Sequence, residues 1–546
     1  MDSVKEIHDI AKSNEMKKNY LNYLRKISKG LPKVYYAHPV FERNSIGSNL
    51  YKYFCYLKLK DNLVSFNNFA YFDIKSFEFF MFKFSKLVFI TYLSISGFIV
   101  FCKKSIYGLI YLLRIRKNLG KFKSTNSETI KYSIFTFVDK NTLEQDYFVD
   151  RYFPLICEKS GVNKSEVLLI CVLSYDIKNK ESLEKIKNYF PNTCCPEQFV
   201  CIRDYIKYFL SYFYLIIYCL FKITFTFRKN FIDCLFIKEL FKFTPNPSCF
   251  GDVVLGSLKK KYNISNLVTF INSFENLEYE KRFNYALKKY FPNCLRIGFQ
   301  HATLIDTQLS NYPIQEEVTC NMLPDVILAN GNKYKQVFVE YFKEFNNVNI
   351  IIKASPTLRY KKFCDASNMK NIIPSEYCLI IATIEARFTI DSVILIVKAL
   401  QKKQESLKII VRVHPMLPTE ELKNYFWQYQ KDLSLLNSIE WLEADNNFFN
   451  LIYYAKYIFT CSTGSVLDIL SVGRTPVILA FSSVQLLMIP QIDEKFFNFI
   501  KVIYNESDLE SLFNSSFAEN MYFEIKKWYL EFYKDEKNLF PYFFSI

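Results

Sequence analysis

None of the 15 cysteines in this 546-residue chain forms a Cys-x-x-Cys pair, which excludes a zinc ribbon or a thioredoxin-like site. They are scattered, with Cys194-Cys195 as the vicinal pair, as expected of free thiols in a reducing cytosol. No Asp-x-Asp occurs; Glu443-Ala444-Asp445 is a near miss, so no divalent ion held in that way and no resident cofactor are expected. The opening Met1-Asp2-Ser3-Val4-Lys5-Glu6 is polar and lacks the apolar core of a signal peptide. No nucleic-acid-binding motif is present, and no internal repeat. The apolar runs at residues 87–102 and 208–221 both fall short of the roughly 20 residues that cross a bilayer.

What the chain does have is apolar surface: 50% hydrophobic residues, with 55 Phe and 40 Tyr. Its length implies two or three domains. The net charge of +16 favours anionic partners. Basic residues cluster beside the apolar runs, as at Lys103-Lys104, Arg114-Ile115-Arg116-Lys117 and Arg228-Lys229, which points to anionic lipid and away from nucleic acid. Three fates compete for these runs: buried core helices, an interfacial helical pair, or spanning helices. Spanning would separate the strand-like residues 132–138 and 167–172 from their sheet partners. A cytoplasmic protein seated on the inner face of the cytoplasmic membrane is therefore expected.

From about residue 130 strand and helix patterns alternate, the signature of α/β architecture with parallel sheets. Strands are predicted at 266–274, 294–299, 325–329 and 349–353, with helices over 278–290 and from 331 to about 345. Polar residues 361–374 read as a linker. A second set follows, with strands at 377–382, 407–413, 455–460 and 475–479 and helices at 390–402 and 466–472. This gives two Rossmann-like domains facing a cleft. The first, 1–360, carries apolar helical insertions near 87–115 and 205–227. The second is 375–510, and 511–546 is a helical tail expected to pack back on the first.

Open α/β sheets bind ligands beyond the carboxyl ends of their strands, so the residues there are the candidates for chemistry. Ser462-Thr463-Gly464-Ser465 sits at a strand-to-helix turn, where free N–H groups and the helix dipole favour a phosphate; Ser or Thr there is equally a good helix cap. His414-Pro415 turns the chain off a strand end, leaving the imidazole to donate to a phosphate or to a local carbonyl. Gln300-His301-Ala302-Thr303 closes another strand. Glu275 follows the strand before it, so a carboxylate and an imidazole on adjacent strand ends could serve as a base and its orienting partner. Glu385 and Arg387 lie in a loop of the second domain and either line the site or are solvated.

The His414-Pro415 turn, the Ser462-Thr463 helix start and the later Gly473-to-Pro476 segment resemble the donor-binding half of bacterial GT-B glycosyltransferases. The motifs are similar to those of capsule enzymes using CMP-sugars, the Kdo transferases and polysialyltransferases. The stretches Phe274-Glu275-Asn276, Gly298-Phe299-Gln300-His301, Asn330-Gly331 and Leu358-Arg359-Tyr360 resemble surface-carbohydrate biosynthesis proteins, from about residue 260 to 480. Ala302 stands where related enzymes commonly have glycine.

This resemblance implies a metal-independent transferase of capsule or lipopolysaccharide biosynthesis, with 1–360 as the acceptor-side domain and 375–510 as the nucleotide-sugar-binding domain. A sugar would pass with inversion from a nucleotide-sugar co-substrate, a CMP-sugar among the donors, to a glycan or lipid-linked acceptor. Glu275 or His301 would be the base. Gln300, Thr303, Glu385, Arg387, His414, Pro415, Ser462, Thr463, Gly464 and Ser465 would bind substrate or nucleotide. Two alternatives stand beside it: transfer of a polyol phosphate, as in teichoic-acid-type polymerases, and a non-catalytic membrane assembly protein.

Overall fold

The computed structural model describes residues 10–11, 13–41, 43, 50–59, 85–122, 127–143, 148, 150, 152–174, 177–226, 230–301, 304–305, 308–345, 348–356, 358, 375–383, 386–402, 407–414, 419–429, 439–443, 448–460, 463–472, 474–480, 500–513 and 539–544. The chain divides into two compact units. One comprises 13–301, 308–359 and 536–546; the other comprises 1–12, 302–307 and 360–535.

The first unit is built on a seven-stranded sheet. Its strands are β1 (Tyr132–Val138), β2 (Val167–Leu173), β3 (Asn192–Cys194), β4 (Thr269–Ser273), β5 (Leu295–Phe299), β6 (Val326–Asn330) and β7 (Ile351–Ser355). Their order is β3-β2-β1-β4-β5-β6-β7, and every neighbouring pair is parallel. Parallel sheets are covered on both faces, so their strands are apolar throughout. β2 reads Val-Leu-Leu-Ile-Cys-Val-Leu for that reason. One face carries Leu169, Ile134 and Phe299 into a core that also holds Leu539, Phe543 and Phe544, so the last described residues pack on this sheet. The other face carries Phe135, Ile170 and Phe270 against helical residues such as Phe283.

The second unit holds a six-stranded sheet. Its strands are β8 (Ser375–Ile381), β9 (Lys408–Arg412), β10 (Ile439–Leu442), β11 (Ala455–Thr460), β12 (Val477–Leu479) and β13 (Lys501–Ile503). The order β10-β9-β8-β11-β12-β13 is again wholly parallel. Alternate residues of β8 enter opposite cores: Cys378 and Ile380 on one face, Leu379 and Ile381 on the other. Each unit thus has the 3-2-1-4-5-6 winding of a Rossmann-like sheet, with the chain reversing direction between its first and fourth strands. Two parallel-sheet α/β domains are what the alternating pattern predicts.

The helices needed below are α1 (Asn14–Ser28), α2 (Leu50–Leu59), α3 (Lys86–Leu119), α4 (Ile202–Thr226), α5 (Phe231–Leu240), α6 (Gly251–Lys261) and α7 (Glu278–Tyr290) in the first unit. The second contributes α8 (Ala386–Lys402) and α9 (Thr463–Ser471). The apolar run at 87–102 and the apolar residues 106–113 that follow Lys103-Lys104 lie on one continuous helix. Lys103 and Lys104 do not interrupt α3, because lysine is a good helix former and its stem is apolar.

α3 and α4 pack antiparallel. Phe98 meets Phe213 at 5.6 Å and Phe101 stacks on Phe209 at 5.3 Å. The Tyr205 hydroxyl donates to the Ser105 carbonyl at 2.9 Å, and Gly108 leaves that hydroxyl the room it needs. Both helices are long and apolar enough to cross a membrane by length and composition. β1 lies between them in sequence yet pairs with β4 beyond α4, Tyr132 opposite Thr269. Arg43, ahead of α3, is ion-paired at 3.0 Å with Glu317, beyond α4. Were α3 and α4 the segments that cross, singly or together, at least one of these pairs would lie on opposite sides of the bilayer.

Candidate active site at the carboxyl edge of the first sheet

The chain reversal in the first sheet lies between β1 and β4. In such sheets a crevice opens at the carboxyl end of that position. The residues just past β1, β4 and β5 meet there. Glu275 follows β4 and His301 follows β5. The Glu275 Oε1 lies 3.0 Å from the His301 Nε2, an ion pair when the imidazole is protonated. The Glu275 side chain is 23% exposed and the His301 side chain 5%, so the carboxylate is the more open of the two. Tyr152, past β1, sets its ring perpendicular to the imidazole at 4.3 Å between centroids. Buried Asp150 accepts the Thr136 hydroxyl at 3.0 Å and the Tyr152 and Phe153 N–H groups at 2.8 Å, which fixes the turn carrying Tyr152. Burial pushes the Asp150 carboxyl up to about 6.

The turn bearing Glu275 is held from beneath by two buried carboxylates. Asn276 takes a left-handed conformation, φ 57°, which asparagine tolerates better than most residues. Its Nδ2 donates to the Glu317 Oε2 at 3.0 Å. Glu317 is also ion-paired to Arg43 at 3.0 Å and Lys281 at 2.7 Å. Burial alone would raise its pKa, yet the two cations hold it down at about 2.

On the other side, Glu280 accepts the Glu275 N–H at 2.9 Å and the Leu277 N–H at 3.2 Å, with the Ser273 and Tyr279 hydroxyls at 2.7 and 3.0 Å. It sits in the first turn of α7. Burial, reinforced by the Glu275 charge, outweighs those donors and pushes Glu280 up to about 8. Sequence reasoning assigned no role to Glu280, Glu317, Lys281 or Arg43. The available signal was the spacing of Glu280 in a helix-start pattern after Leu277.

Gln300 closes β5, but its side chain is buried and its Oε1 accepts the Asn330 N–H at 3.1 Å, tying β5 to β6. Thr303 lies outside the described residues, as do Glu385, Pro415, Ser462 and Asp445.

In the second unit, α9 begins at Thr463 directly after β11, beside the reversal between β8 and β11. Thr463 and Gly464 form its first turn, and buried Ser465 comes third. The first N–H groups of a helix have no partner within it and suit an anion. His414 is half-buried two residues past β9. Arg412, the last residue of β9, lies over the Phe448 ring at 4.0 Å. Arg387 is in the first turn of α8 and not in a loop as expected; α8 starts at Ala386, and the Thr389 hydroxyl in its first turns accepts the Thr383 N–H at 3.1 Å.

No protein-family model matches the chain, and no curated protein sequence matches it. Solved structures do align with it. A UDP-N-acetylglucosamine 2-epimerase aligns over 76% of this chain and 96% of its own, at 11% identity and a TM-score of 0.41. The UDP-GlcNAc 2-epimerase of Methanocaldococcus jannaschii aligns over 71% and 92%, at 11% identity and 0.40. The pneumococcal O-GlcNAc transferase GtfA, solved with UDP and GlcNAc, aligns over 52% and 57%, at 11% identity and 0.33. At these scores the likeness concerns general layout, and the chemistry rests on the residues of the chain itself.

Proposed function

We propose that the protein is a GT-B-type glycosyltransferase that moves a sugar from a nucleotide-sugar to the hydroxyl of a glycan or lipid-linked acceptor. The observation that carries the reading is the Glu275–His301 pair, 3.0 Å apart beside the chain reversal of a doubly wound sheet. Glu275 is the base: it is the more exposed partner, and the His301 Nε2–H orients its carboxylate. The acceptor oxygen attacks the anomeric carbon as its proton passes to Glu275. The bond from that carbon to the phosphate oxygen breaks, and the nucleotide leaves. Within the second unit, the α9 start, with Thr463 and its neighbours, suits a nucleotide phosphate, and His414 is a further hydrogen-bond donor for it. One displacement inverts the anomeric configuration. Surface-polysaccharide synthesis is the setting the motifs imply.

The test is a thermal-shift series with CMP, UDP, GDP and their sugars. A ligand of the native state raises apparent stability by mass action. One nucleotide class raises the transition, and His414→Ala removes most of that shift. A flat response to every nucleotide refutes the reading. Retained anomeric configuration in a product refutes the single displacement.

A further inference from the structure

The outward sides of α3 and α4 form an apolar face that the described residues of the first unit leave largely exposed, with Tyr35 stacked on Tyr214 at 5.8 Å as a partial cover. Along α4 the exposed residues are Ile206, Leu210, Tyr214, Ile217, Phe221 and Phe225, a recurrence of three or four that draws one straight stripe down the helix. Along α3 the matching residues are Ile95, Ile99, Ile106, Ile110 and Leu113. Their exposures run from 44 to 72%, far above those of core residues. The opposite sides are committed to the protein. Tyr208 stacks on Phe250 at 3.6 Å, Tyr212 donates to Glu278, and Gly97 packs against the Phe241 ring.

Charge says what covers the stripe. α3 contains no acidic residue and α4 contains Asp204 alone. Lys103, Lys104, Arg114 and Lys117 on α3 and Lys207 on α4 are exposed beside the apolar residues. A second copy of the chain, packed about a two-fold axis, would set these cations against themselves with Asp204 as the one carboxylate on either helix to offset them. An anionic lipid leaflet satisfies both features, since the stripe enters the acyl boundary while the basic stems reach back to the headgroups.

We propose that α3 and α4 together lie in the plane of one anionic leaflet, seating the first unit on the membrane without crossing it. The non-crossing half follows from the β1–β4 pairing and the Arg43–Glu317 pair. The proposal stands or falls independently of sugar transfer.

The test is flotation of the full chain with vesicles of phosphatidylcholine alone and of phosphatidylcholine with about a third phosphatidylglycerol. Wild type floats with the anionic vesicles and loses most binding at high salt or on neutral vesicles. Leu210→Glu/Ile217→Glu/Phe221→Glu lowers the partition coefficient more than about ten-fold. Lys103→Glu/Lys104→Glu lowers it about ten-fold or more, and touches only exposed side chains, so it holds the test even if the triple variant misfolds. Three results overturn the proposal: equal binding to both vesicle types, flotation of the Lys103/Lys104 variant at the wild-type level, or a wild-type dimer in lipid-free buffer that the stripe substitutions dissociate.

Discussion

Glu280→Gln is the sharpest probe of the turn that carries Glu275. In the folded protein Glu280 titrates at about 8, against an ordinary 4.5, because it is buried and faces the Glu275 charge. The folded state therefore keeps a proton that the unfolded chain gives up. Stability from this group is full below about pH 4.5 and is lost as pH rises to about 8. Between pH 5.5 and 8.5 the folded group stays protonated for about 2.5 pH units while the unfolded one is ionised, worth about 3 kcal/mol at 1.36 kcal/mol per unit. Glutamine keeps the size and one acceptor oxygen but does not titrate. Its fixed cost, an amide facing donors that Glu280 accepts, is the same at both pH values and cancels in the comparison. Asp150, raised to about 6, is present in both proteins and cancels as well. Urea unfolding at the two pH values then gives a wild type that weakens by about 3 kcal/mol more than Glu280→Gln across the interval. Equal pH dependence in the two proteins would refute the assignment of Glu280 as a buried, proton-holding support.

Other perturbations test the same frame. Glu317→Gln strands buried Arg43 and Lys281 without their carboxylate and costs about 3–5 kcal/mol in urea unfolding near neutral pH. Because Glu317 is held down at about 2, its contribution is present above about pH 4.5 and fades as pH falls toward 2, so wild type and variant converge in strong acid. Gly298→Ala puts a methyl 2.9 Å from the Pro324 Cγ and 3.2 Å from the Phe274 Cβ, costing about 1–3 kcal/mol by the same assay. Tyr152→Leu removes the ring set edge-on to His301; unfolding stability changes by less than about 1.5 kcal/mol while transfer activity falls several-fold.

The strands were legible wherever burial on both faces made them continuously apolar. Predicted 132–138, 278–290 and 455–460 coincide with Tyr132–Val138, Glu278–Tyr290 and Ala455–Thr460. Boundaries slipped where apolar residues outrun the hydrogen-bonded ladder, as at 266–274 against Thr269–Ser273. Glu275 and His301 could be paired from sequence because each directly follows a strand, and adjacent parallel strands bring their carboxyl ends together. For Gln300, the strand-end position gave no sign that its Oε1 accepts the Asn330 N–H. Arg43 and Glu317 were out of reach altogether. Their contact joins segments far apart in the chain, and a charged residue in sequence carries no sign that it will be buried. The long helix α3 was obscured by Lys103-Lys104, which read as a boundary and are instead the basic edge of an apolar stripe.

The central claim is that Glu275, oriented by His301, takes the acceptor proton. Turnover of Glu275→Gln beside wild type, with the nucleotide-sugar selected by thermal shift, addresses it directly. A fall in kcat of about 10²- to 10⁴-fold with donor binding unchanged is the predicted result. Wild-type turnover in the variant would contradict it.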